Sequence, residues 1–312
     1  MSTVLRGRAT NDTATTFDFL YHNEAGGRNS LAGTPNIMLH RVAKGRIDAM
    51  AQYLATTQSY RDISITSMPE LANKVAGVRP DVVSYEVHSS DEGVVTKELA
   101  KLDPDRIAAI QVPSRFSAQM VAAVAPQFAS RVSVRPNLLP AVEPLGADQT
   151  TNFDFEGRTP LLWVGRLDKG KNPNDFLRAL ALLPDIYTGI VVLSLENAPE
   201  RISRFLGYAA SLGLAKRIRV VMDLSPSRLA GLYAEVARAG GSFVSTSLME
   251  SFGYGVLEAT SSGLRTVAYD VGALSEHGPS AAPLKLVDVG DVSGLVRAIG
   301  ERHLTSSQGW GL

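Results

Sequence analysis

Past residue 160 the chain alternates short apolar or β-branched runs with amphipathic stretches, the rhythm of a parallel sheet covered by helices. Residues 161–165 read as the first strand. A helix over 172–183 follows, because Phe176, Leu177, Leu180 and Leu183 recur at helical spacing. The continuous apolar run 189–195 reads as a strand buried on both faces. Residues 199–212 form a helical pattern closed by Gly213, 218–222 a strand, and 227–238 a helix capped by Ser225 or Ser227. Strand, helix and strand then fall at 242–245, 253–262 and 266–269, and the series ends with a strand at 284–287 and a helix at 292–302.

The first half has a less regular rhythm, also of α/β type. Residues 17–21, 62–66, 81–87 and 107–112 are candidate strands, and 42–56 is the best helix. Between the halves, residues 140–160 carry Pro, Gly, Asn, Asp and Thr with little periodicity, a composition suited to an exposed connection. The boundary is placed near residue 146, giving domains at 1–145 and 146–312. The length of 312 residues agrees with two domains at roughly 150 residues each.

Composition then narrows the chemistry. Lys+Arg 31 against Asp+Glu 31 gives a formal net charge of +0, so no bulk attraction for nucleic acid exists and any anion site is local. Cys 0 excludes disulfides, thiolate metal sites and thiol catalysis, and fits a cytoplasmic location. The His 5 occur singly, without paired-ligand spacing, so no metal is expected. Residues 1–16 lack the apolar core of a secretory signal, and no apolar run is long enough to span a bilayer. Peripheral membrane contact is one reading of Arg41, Lys44 and Arg46 beside the apolar residues of the 42–56 segment, and a packed surface helix explains them at least as well.

Two strand-to-helix junctions carry the candidate chemistry. In Gly165-Arg166-Leu167-Asp168-Lys169-Gly170-Lys171, glycine permits a close turn, and Arg166 and Lys171 offer a guanidinium fork and a point charge to a diphosphate. A turn with solvated charges is the competing reading. In Glu250-Ser251-Phe252-Gly253-Tyr254-Gly255-Val256-Leu257-Glu258, two glycines open the start of a helix, where free N–H groups and the helix dipole favour an anion. Glu250 before that helix and Glu258 on it suit sugar hydroxyls, or else Glu258 merely decorates a solvated face.

Both segments in this order, followed by Gly263 and by Asp270-Val271-Gly272-Ala273-Leu274-Ser275-Glu276, resemble the retaining glycosyltransferases of GT-B architecture, group 1 or family 4. The resemblance covers residues 160–302. It implies two Rossmann-like domains facing a cleft, with a nucleoside diphosphate sugar as donor and a sugar, lipid or protein as acceptor. Arg166 and Lys171 then grip the diphosphate beside Gly165. Glu250 meets the donor sugar, Glu258 the ribose, and the amides of Phe252, Gly253 and Tyr254 cradle the diphosphate.

In the first half, residues 80–88 resemble the family strand that delivers a histidine, here His88, to the donor sugar. An ordinary hydrogen-bonded histidine at a strand end fits His88 equally. Val112-Pro113-Ser114 and Arg135-Pro136-Asn137 resemble later landmarks, and Gly26-Gly27 a glycine loop facing the donor, with a surface turn as the alternative. The chain departs from the family at Ser251, usually Gly, and at Arg265, often Pro. The amino-terminal domain reads as reduced and the carboxy-terminal return helix as missing.

The activity so implied is metal-independent transfer of a hexose-type sugar to an acceptor hydroxyl with retention at the anomeric carbon. No further cofactor is expected. Attack comes on the face from which the diphosphate leaves, and a leaving phosphate oxygen takes the acceptor's proton. Three competitors stand beside it: a glycoside hydrolase, which also uses two carboxylates, a nucleotide-sugar epimerase, and a non-catalytic or partner-dependent binding subunit of the same fold.

Overall fold

A computed structural model describes residues 2–22, 31, 33–139, 153–193, 199–277 and 283–305. The chain forms two compact units, Met1–Ala141 and Val142–Leu312. The expected boundary at residue 146 and the Gly26-Gly27 pair lie outside the described residues.

The amino-terminal unit runs α1 (Ser2–Asn11), β1 (Phe17–Tyr21), β2 (Ile37–Arg41), α2 (Ile47–Thr57), β3 (Ile63–Thr66), α3 (Pro69–Ala76), β4 (Val83–Glu86), α4 (Glu92–Leu99), β5 (Ala109–Val112), α5 (Arg115–Val124) and β6 (Val132–Val134). Strands β3-β4-β5-β6 form one parallel sheet in that order, and β1 pairs with β2 in a second, two-stranded parallel sheet. The expected strand 17–21 is present with the same bounds, and the other three are present with trimmed ends. The helix expected from residue 42 begins at Ile47, because Lys44–Arg46 close a 3-10 turn first. On β4 the pleat sends Val83 and Tyr85 into the apolar core and Ser84 and Glu86 to a polar face.

In the carboxy-terminal unit the elements are β7 (Thr159–Gly165), α6 (Pro173–Leu182), β8 (Tyr187–Leu193), α7 (Pro199–Ser211), β9 (Ile218–Met222), α8 (Pro226–Arg238), β10 (Ser242–Ser245), α9 (Tyr254–Ser261), β11 (Thr266–Tyr269), β12 (Leu284–Val287) and α10 (Val292–Thr305). Every adjacent pair in the six-stranded sheet is parallel, and the strand order is β12-β11-β10-β7-β8-β9. This is a doubly wound order. Counted within the unit it reads 3-2-1-4-5-6 from β9, and it reverses direction between β7 and β10.

β8 is buried at every residue, as a central strand covered on both faces must be. It starts two residues earlier than expected, and positions 194 and 195 lie outside the described residues. Helix α6 starts at Pro173, because Asn172 takes a left-handed conformation (φ 46°) and proline suits the first helical position. The hydroxyl of Ser225 accepts from the Arg228 amide and caps α8 as expected.

Candidate functional site

Open α/β sheets leave a crevice beyond the carboxyl ends of the strands where the winding reverses, here between the loops after β7 and β10. Both candidate segments lie at those two loops. The loops are also stitched together. Trp163, buried on β7, donates its indole N–H to Thr246 Oγ1 (3.1 Å). The single Thr246 hydroxyl proton is then shared between the carbonyls of Asn172 (2.8 Å) and Lys171 (3.2 Å). A backbone bond from the Leu248 amide to the Gly170 carbonyl (2.8 Å) adds a second stitch. Gly165 has a steric reason to be glycine, since a Cβ there would stand 2.9 Å from the Trp163 ring.

Within the first loop Asp168 is the organiser. One carboxylate oxygen accepts from the Lys171 amide (2.9 Å) and the other from Arg166 Nε (3.0 Å). Below the loop, buried Asp175 accepts from Asn172 Nδ2 (2.7 Å), the Tyr269 hydroxyl (2.9 Å) and Arg178 Nη1 (2.7 Å). Those bonds satisfy a buried carboxylate and hold the left-handed Asn172 that turns the chain into α6.

Lys171 reaches across the crevice to Glu250, with Nζ 2.5 Å from Oε1 and only 13% of the Glu250 side chain exposed. This ion pair joins two residues 79 positions apart. The second loop is pinned from behind by the 3-10 turn Gly272–His277. The Ala273 amide donates to the Glu250 carbonyl (2.9 Å), and His277 Nε2 donates to the Phe252 carbonyl (2.7 Å). Gly272 sits at φ +55°, and a Cβ there would stand 2.1 Å from the Glu250 oxygen. Gly253 caps α9 at φ +85°, where a Cβ would collide with Leu274. Both positions require glycine.

Glu258 lies on α9, partly buried beside Tyr233 of α8. Burial raises its carboxyl above the usual carboxylate range, and the Tyr233 hydroxyl offsets this only in part. Among the described residues its side chain makes no ion pair. A desolvated carboxylate short of donors is suited to accept from ligand hydroxyls.

The structure therefore gathers Gly165, Lys171, Glu250, Phe252, Gly253 and Tyr254 around one crevice. Arg166 is on the same loop, with its side chain 69% exposed and its Nε 3.0 Å from the Asp168 carboxylate. His88 belongs to the other unit. It follows β4 and pairs through Nε2 with Glu86 Oε2 (2.8 Å). Glu86 is buried and also accepts from Arg8 Nη1 (2.5 Å) and Ser64 (2.7 Å). Burial opposes its charge, yet these three donors and the Arg8 charge hold its carboxyl down to about 2.

Sequence reasoning missed Trp163, Thr246, Asp175, His277 and Glu86. Only Asp175 carried a signal, an acidic residue in the first turn behind a Pro. Among the described residues no three His, Asp or Glu side chains cluster as a metal site, and no helix is long and apolar enough to cross a membrane.

Comparison with known proteins defines the fold and gives a family match over the carboxy-terminal unit. HepE from Anabaena, solved with UDP-glucose, superposes with a TM-score of 0.80 at 14% identity, covering 98% of this chain and 86% of that one. WaaG, a glycosyltransferase involved in lipopolysaccharide biosynthesis, gives 0.61 at 13% identity, covering 94% and 91%. The fold is thus the GT-B architecture of glycosyltransferases. Residues 149–300, just under half of the chain, match the family described as glycosyl transferases group 1.

Curated relatives match over part of the chain. The D-inositol 3-phosphate glycosyltransferase of Corynebacterium glutamicum is 32% identical over 117 residues, 36% of this chain and 27% of that protein. Its counterpart in Mycolicibacterium vanbaalenii is 32% identical over 164 residues, 48% of this chain and 35% of its own length. The matches span about a quarter to a third of these relatives.

Proposed function

We propose that the chain transfers a sugar from a nucleoside diphosphate sugar to an acceptor hydroxyl, with retention at the anomeric carbon, as in family 4. The observation that carries the reading is the Lys171–Glu250 pair. It sets a cation and a carboxylate side by side at the switch point, next to the start of α9. The cation meets the diphosphate and the carboxylate meets the sugar hydroxyls. As the glycosidic bond breaks, positive charge grows on the sugar and negative charge on the departing diphosphate. Lys171, the guanidinium of Arg166 and the amides of Gly253 and Tyr254 stabilise that negative charge electrostatically. In this reading they take the place of a metal ion.

Glu258 accepts from the ribose hydroxyls. His88, held by Glu86, is a substrate contact supplied by the amino-terminal unit. A UDP-hexose is the donor of first choice, supported by HepE having been solved with UDP-glucose. A polyol phosphate is the first acceptor to try, supported by the inositol phosphate in the relatives' names. A cytoplasmic location follows from such soluble substrates. Incubation with UDP-glucose and acceptor, with the product read by proton NMR, tests the reading. A new glycoside that keeps the donor's anomeric configuration is expected, with turnover down by orders of magnitude in Arg166→Ala. An inverted product, or release of free sugar without transfer, overturns it.

A further inference from the structure

The trans peptide plane gives the second loop a property that its residue types do not display. Across such a bond the carbonyl of one residue and the N–H of the next point in opposite directions. The Phe252 carbonyl is drawn back onto His277 Nε2 (2.7 Å), so the Gly253 N–H is turned away from the 3-10 turn behind it. That N–H makes no hydrogen bond among the described residues, and it heads the amides that open α9. The His277 ring also meets the Phe252 ring edge to face, with centroids 5.6 Å apart, so the imidazole is oriented by packing as well. Because a carbonyl only accepts, Nε2 must carry the proton.

We propose that His277 is a positioning residue for phosphate recognition: it anchors the Phe252 carbonyl and thereby aims the Gly253 amide at the diphosphate. This rests on the donor-site reading above, and the two can fail separately. His277 touches no substrate. Its contribution is to spare the Gly253 peptide the cost of ordering when the ligand arrives.

Three variants separate the donor from the ring. His277→Phe keeps the edge-to-face packing and loses the N–H, His277→Gln restores a donor of similar reach, and His277→Ala loses both. The probe is whichever of UDP, GDP, ADP and dTDP binds the wild type, measured by calorimetry beside the matching free nucleoside. His277→Phe should bind the diphosphate about tenfold more weakly, the loss of one aimed hydrogen bond to a charged group, with nucleoside affinity unchanged. His277→Gln should recover to within about twofold. Equal weakening for nucleoside and diphosphate would show a merely structural role and overturn the proposal. So would unchanged diphosphate binding in His277→Phe. Failure of the wild type to bind any of the four would overturn the donor-site reading, and the proposal with it.

Discussion

Replacing Glu250 by Gln should make a nucleoside diphosphate bind more tightly and the nucleotide sugar react more slowly. With the ligand absent, the Glu250 carboxylate is the counter-ion of Lys171 at 2.5 Å. A phosphate oxygen taking another proton of the same ammonium would stand about 4–5 Å from that carboxylate, by ordinary hydrogen-bond geometry. Two like unit charges at about 5 Å repel by about 3 kcal/mol at an effective dielectric of about 20, and by under 1 kcal/mol in water. Lys171 is 30% exposed, so the crevice is partly wet and a value of about 1 kcal/mol is appropriate, or roughly fivefold in affinity.

The amide of Gln keeps an acceptor for Lys171 but removes the charge. The sugar hydroxyls lose a charge-assisted partner worth about 1.5–3 kcal/mol, which lowers kcat/KM by about 10- to 100-fold. Calorimetric titration with UDP and initial rates with UDP-glucose read the two effects in opposite directions. UDP binding tenfold weaker in Glu250→Gln, or transfer at the wild-type rate, would refute the pairing of roles.

Two carboxylates also give pH predictions of opposite sign. Glu86 has a folded pKa of about 2, below its unfolded value, so its contribution is present above about pH 4.5 and disappears as the pH falls toward 2. Urea unfolding of wild type and Glu86→Gln should show a gap on the order of 3 kcal/mol at pH 7 that narrows at pH 3.5, and a constant gap would disprove the assignment. Glu258 is raised instead, so its charged form costs stability once the pH passes its ordinary range. Glu258→Gln is accordingly expected to raise the Tm at pH 7 while weakening nucleotide binding; a lowered Tm at unchanged affinity would count against both statements.

The carboxy-terminal unit was largely legible in its sequence because its strands are apolar runs set between recognisable caps, such as Ser225 before α8 and Gly213 after α7. The amino-terminal unit was less so. Helix α1 contains only Val4 and Ala9 as buried apolar residues and is held in part by Arg8 on Glu86, 78 positions away. A period that short and sparse leaves no amphipathic signal. β6 has three residues, and β2 is recognised only by its pairing with β1.

At the site, the residue types at 166, 171, 250 and 258 were readable, but their pairing was not. Arg166 turned to Asp168 on its own loop, whereas Lys171 crossed to Glu250, a choice made by the stitching of two loops through Thr246. His277 and Asp175 act on backbone and on other side chains, and such roles exist only once the chain is folded.

The central claim is that Lys171 holds the diphosphate of a nucleotide donor at the β7/β10 switch point. Titrating UDP, GDP, ADP and dTDP into wild type and Lys171→Ala, followed by Tm and calorimetry, tests it most directly. A ligand at 100 times its Kd adds about 2.7 kcal/mol, so one nucleotide should raise the wild-type Tm by a few degrees, with affinity at least tenfold weaker in the variant. Equal binding by both proteins, or binding of no nucleotide by the wild type, would contradict the account.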